Sequence, residues 1–152
     1  MAGRSTESLG VTMSRVEFVP PDGPSVPDPT ADLLRDVFSQ PSVEYWRAGS
    51  ADAGLHFTSA SGGALLDFTY HPKLGFCVVY ESRLKKTPLV LTTNPNDNET
   101  VTVRFIQNDV EMPRSHFVPT DIALAAAIAF LPAGEPGYVA DAQWVEFSPR
   151  EP

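Results

Sequence analysis

The chain has 152 residues, 42 % of them apolar, with one cysteine and a formal net charge of −8. That length suits one domain, and the apolar share fills a core without a disulfide or metal staple. The negative charge argues against direct nucleic-acid binding, which needs a basic face to neutralise phosphates.

The N-terminus, MAGRSTESLGVTMSRVEF, lacks the apolar stretch of roughly 7–15 residues that a secretory signal requires. No run approaches the ~20 apolar residues needed to cross a bilayer; the longest is Ile122 to Leu131. With its lone cysteine, Cys77, the chain reads as a cytoplasmic protein of a reducing compartment. Residues 1–27 are expected to form a disordered arm, because Pro20, Pro21, Pro24 and Pro27 punctuate it. Met13 offers a second start.

The domain is expected over 28–148, with 149–152 as a tail. A first helix starts at Asp28-Pro29-Thr30, with Asp28 as the cap and Pro29 at the first helical position. Leu33, Leu34, Val37 and Phe38 recur at helical spacing, and Pro41 ends the helix. An aromatic segment, Val43-Glu44-Tyr45-Trp46, follows.

From there to about residue 106 the period is two. Strands are expected at Gly54–Ser59, Ala64–Tyr70, Phe76–Glu81, Leu89–Thr93 and Thr100–Ile106. Turns fall at Ser61-Gly62-Gly63, His71–Gly75 and Asn94–Asn98. Phe76–Glu81 is the most apolar of them and is placed inside the sheet, where Cys77 acts as a small hydrophobe. A second helix over 120–131 begins after Pro119, carries Ile122, Ala125, Ala126 and Ala129 on one stripe, and ends at Pro132 and Gly134. A last strand holds Trp144, Val145 and Phe147, with Trp144 in the core. The fold class is α+β: an antiparallel meander of five to six strands with two helices on one face.

A catalytic constellation does not emerge. His56, His71 and His116 show no metal-ligand spacing with one another or with Cys77, and no phosphate-binding glycine loop or Gly-x-Ser-x-Gly elbow is present. No cofactor or metal is expected. Asp67 alternates with apolar residues inside a strand, and is expected on its solvent side. Two acidic loops stand out instead. Asp97 and Glu99 lie in Asn94–Glu99, and Asp109 and Glu111 in Gln107–Glu111, at opposite ends of one strand. Ordinary solvated turns are the plain reading; the functional one is an acidic surface for a basic partner.

The C-terminal half reads Phe117-Val118-Pro119-Thr120, an alanine-rich helix ending Ala129-Phe130-Leu131, then Gly134, Pro136 and Trp144-Val145-Glu146. In the order of its elements over 43–147 this resembles the first immunity-protein family of bacterial polymorphic toxin systems. The resemblance implies a non-enzymatic inhibitor whose partner is a cognate toxin domain, often a nucleic-acid deaminase. Either Asp97 and Glu99 or Asp109 and Glu111 are then the residues expected to meet the toxin's basic cleft, with no direct nucleic-acid or membrane contact. The proline-rich leader and the long stretch between Gly134 and Trp144 depart from that pattern. Two other readings remain open. One is a small-ligand or enzymatic domain with a pocket near Asp67, His56, Tyr70 and His71. The other is an interaction adaptor that docks through its proline arm.

Overall fold

The period-two segments of the sequence form antiparallel strands, all but the last of them in one sheet. The computed structural model describes residues 15–21, 23–39, 46, 53–59, 62–83, 85–105 and 108–147. Among these are β1 (Arg15–Val19), β2 (Val26–Pro27), α1 (Ala31–Phe38), β3 (Ala53–Ser59), β4 (Gly62–His71), β5 (Gly75–Ser82) and β6 (Lys85–Thr92). There follow β7 (Thr100–Phe105), β8 (Asn108–Pro113), a 3-10 turn (Arg114–His116), α2 (Thr120–Phe130) and β9 (Gln143–Glu146). Seven strands form one sheet in the order β2-β1-β3-β4-β5-β6-β9, and β7 and β8 form a separate two-stranded sheet. The class is α+β, with more strands than the sequence suggested.

Alternation assigns the two faces of the large sheet. Val16 and Phe18 of β1, Leu55 of β3, Leu66 and Phe68 of β4, Phe76 and Val78 of β5 and Leu91 of β6 face the helices and are buried. Leu34 and Phe38 of α1 and Ala123, Ala126, Ala127 and Phe130 of α2 meet them there. The alanines let α2 lie close on β4 and β5, and α1 packs beside it. Phe38 is the hub: its ring centroid lies 5.1 Å from Trp46 and 5.2 Å from both Phe68 and Phe76. Tilted and edge-on contacts of this kind add about 0.5–1.5 kcal/mol per pair beyond the area buried. Trp144 is half-buried against the same core, and its indole N–H donates to the Gly137 carbonyl at 3.0 Å.

The opposite face is covered at one end by the β7–β8 hairpin. The β7–β8 hairpin lays Val101, Val103, Val110 and Met112 over Cys77, Val79, Val90 and Val145, with Phe117 and Phe147 sealing the layer. A two-residue bridge ties the chain after the hairpin to β5: Phe76 and Val118 exchange both backbone hydrogen bonds at 2.8 Å. Gly75 makes that approach possible. Its φ is +103°, and a Cβ there would collide with the Val118 carbonyl oxygen. Among the described residues no element covers β1, β3 and β4 on this side.

Three expectations need correction. Residues 15–27 are not an arm: β1 pairs with β3 along its whole length, from Arg15↔Thr58 to Val19↔Gly54, and Phe18 is buried. The prolines fall in the β1–β2 connection and on the two-residue edge strand β2, where no inner ladder bond is lost. Asp28 does not cap α1. Its N–H bonds the Val16 carbonyl at 2.9 Å, and Thr30 caps instead, its Oγ1 accepting from the Leu33 N–H at 3.1 Å. Residues 108–111 are not a loop but most of β8. The segments 1–14, Val43–Tyr45 and 148–152 lie outside the described residues.

Candidate partner-binding site

The four carboxylates singled out in the sequence all sit on or beside the β7–β8 hairpin. Asp97 begins its base. Its N–H closes a turn onto the Asn94 carbonyl at 3.2 Å, and its Oδ1 accepts from the Glu99 N–H at 3.0 Å. Arg114, just past β8, reaches back across the base. Its Nε donates to Asp97 Oδ2 at 2.8 Å, its Nη1 lies 3.5 Å from Glu99 Oε1, and its backbone N–H donates to the Glu99 carbonyl at 2.8 Å. The hydrogen bond from Arg114, with that from the Glu99 N–H, holds the Asp97 carboxyl below its ordinary value, and Asp97 in turn raises the guanidinium. Asp97 is therefore a strut within the molecule. Glu99 extends further, with 71 % of its side chain exposed.

Asp109 and Glu111 occupy alternate positions of β8, opposite Arg104 and Thr102 of β7. Both are exposed, while Val110 and Met112, which alternate with them, turn toward the sheet. The alternation Asp109-Val110-Glu111-Met112 was the signal for a strand, and the acidic composition obscured it. Arg114 had no such signal, because it meets Asp97 only through the fold, 17 residues away.

The residues of the alternative pocket do not converge. His56 and Asp67 share the sheet face opposite the helices, with His56 between Glu17 of β1 and Leu65 of β4 in register. Asp67 is half-buried rather than fully solvent-facing, and its carboxylate lies over Gly54, where a Cβ would stand 3.0 Å from Oδ1. Tyr70 faces the helix side, its ring 5.0 Å from Phe76. His71 closes β4 and accepts the Lys73 N–H on Nδ1 at 3.1 Å. A shallow groove of about 390 Å³ does open on this face, between His56, Leu65, Glu81 and Arg83. Cys77 lies beneath the hairpin. Burial, then the nearby Asp67 charge, pushes its thiol up to about 12, so it packs as an inert hydrophobe at neutral pH.

Among the described residues no group of three or more His, Cys, Asp or Glu is placed to hold a metal ion. No described helix is long and apolar enough to cross a membrane. Compared with known proteins, the chain matches no family model, no curated protein and no solved structure.

Proposed function

We propose that this chain is an immunity protein of the cytoplasm that binds and neutralises a cognate toxin domain. The toxin in this reading modifies nucleic acid, as a deaminase does. The observation that carries the reading is the β7–β8 hairpin. It lies outside the seven-stranded sheet and turns Glu111, with Asp109 beside it on the same face, to solvent. A toxin that acts on a polyanion lines its cleft with Lys and Arg. A rigid strand bearing carboxylates at every second position meets such a cleft without ordering a loop first. Charge complementarity also speeds the encounter, and speed matters where free toxin damages its host. Glu99 sits at the hairpin base, and Asp97 holds that base through Arg114.

Part of the element order supports the reading, namely the antiparallel strands after α1, the helix ending at Phe130, the Gly134–Pro136 segment and the late Trp144; β1 and β2 ahead of α1 and the separate β7–β8 hairpin depart from it. A second reading keeps one observation, the groove beside His56, Glu81 and Arg83, which has room for a small polar ligand. Co-expression with the C-terminal domain of a toxin encoded beside the gene tests the main reading. Rescue of growth together with co-purification supports it. A chain that leaves the toxin lethal and unbound contradicts it.

A further inference from the structure

The large sheet ends on two unlike edges. At one end β2 is a two-residue strand that closes on Pro27, whose missing N–H blocks further pairing. At the other end β9 reads Gln143-Trp144-Val145-Glu146, with no Lys, Pro or Gly to blunt it. Its bonds to β6 fix which of its backbone groups are used. The Phe147 N–H donates to the Pro88 carbonyl at 2.8 Å. The register Leu89↔Glu146, Val90↔Val145, Leu91↔Trp144 and Thr92↔Gln143 then makes Val90/Val145 and Thr92/Gln143 the bonded pairs, because bonded and non-bonded pairs alternate in an antiparallel ladder. Trp144 and Glu146 therefore turn their N–H and C=O groups away from β6. Among the described residues no strand takes them up.

The geometry points to a second copy of this chain as the occupant, pairing β9 with β9 antiparallel about a two-fold axis through Val145. Parity leaves two near-central axes, through Trp144 or through Val145. The Trp144 axis would call on the Ala142 N–H, which already donates to the Val139 carbonyl, so the Val145 axis is the one that opposes the outward residues of the strand to each other. Residues whose backbone groups face outward must oppose one another, so Trp144 bonds with Glu146 of the second copy and Glu146 with its Trp144. That makes four hydrogen bonds. The side chains agree with this register. Val145, half-buried on the hairpin face, meets its own counterpart and gains apolar contact. Glu146, the only charged residue of the strand, lies across from a Trp rather than from another Glu. An isologous contact needs a surface complementary to itself, and this register supplies one. A paired length of four residues makes a small interface, so the dimer is weak, with a Kd on the order of 10 µM to 1 mM.

Sedimentation and amide exchange on the full chain test this. Glu146→Pro removes one outward N–H and leaves every bond to β6 in place. The wild type should dimerise as its concentration rises, while Glu146→Pro should dimerise at least tenfold more weakly with an unchanged melting temperature. In the wild type, the Trp144 and Glu146 amides should gain protection with concentration, whereas the Val145 amide, bonded to Val90, is protected throughout. If Glu146→Pro fails to fold, the wild-type exchange pattern decides alone. A wild type still monomeric at about 1 mM overturns the inference. So does a dimer that Glu146→Pro leaves intact, or exchange at Trp144 and Glu146 that ignores concentration. Protection of those two amides by a toxin domain, with the free chain monomeric, would assign the edge to that partner instead.

Discussion

Arg114 Nε stands 2.8 Å from Asp97 Oδ2, closing the base of the β7–β8 hairpin with a charge-assisted hydrogen bond. The contact depresses the Asp97 carboxyl below its ordinary 3.8. Because the folded value is the lower one, the stabilisation is present above the unfolded value and is lost as pH falls through the folded one. Titration of the Asp97 side chain by NMR should give a midpoint below 3.8 in the wild type and closer to 3.8 in Arg114→Ala. An unchanged midpoint in the variant would remove Arg114 as the cause.

Strand β1 belongs to the core, and Phe18 is its anchor. Phe18→Ala should cost roughly 3–5 kcal/mol, the usual range for a buried Phe truncated to Ala. Deleting the chain up to Val26 removes the strand and exposes the edge of β3. Thermal unfolding should fall by well over about 5 °C, a shift that corresponds to more than a kcal/mol in a domain of this size. A deletion that melts with the full chain would show β1 to be dispensable.

The middle of the sheet was legible because β3 and β4 alternate, β5 is a short continuous apolar run, and glycines open β4 and β5. The alanine-rich α2 was legible from its stripe and its stop at Gly134. At β1 the proline density after residue 19 overrode a short alternation, Val16 and Phe18, that carried the true signal. At β8 two carboxylates at strand spacing have the composition of a turn, although Val110 and Met112, alternating with them, mark an apolar inner face. The hairpin's departure from the sheet could not be read locally, because it depends on Val101, Val103, Val110 and Met112 finding Cys77, Val90 and Val145. The acidic residues were visible as a set, but Arg114, which decides that Asp97 acts inside the molecule, was not.

His116 offers a pH readout of the hairpin's attachment. It is buried at the end of the 3-10 turn, its ring 5.3 Å from Phe147, and its Nδ1 meets no hydrogen-bond partner among the described residues. Desolvation lowers its pKa below the ordinary 6.5. The unfolded chain therefore binds the proton first. Stability should decline as pH falls below about 6.5 and level off once the folded value is passed. Urea unfolding between pH 7.5 and 5 should show this decline in the wild type, and a shallower one in His116→Leu. Equal slopes in the two proteins would assign the pH dependence elsewhere.

The contact proposed for the toxin depends on the outward carboxylates of β8. The most direct test is the association rate of the chain with its cognate toxin domain across a salt series, comparing wild type with the Asp109→Asn/Glu111→Gln double variant. Neutralising a pair that faces a basic cleft should slow association by about tenfold at low salt and flatten the salt dependence, with no change in melting temperature. A double variant that binds at the wild-type rate at every salt concentration would contradict the account.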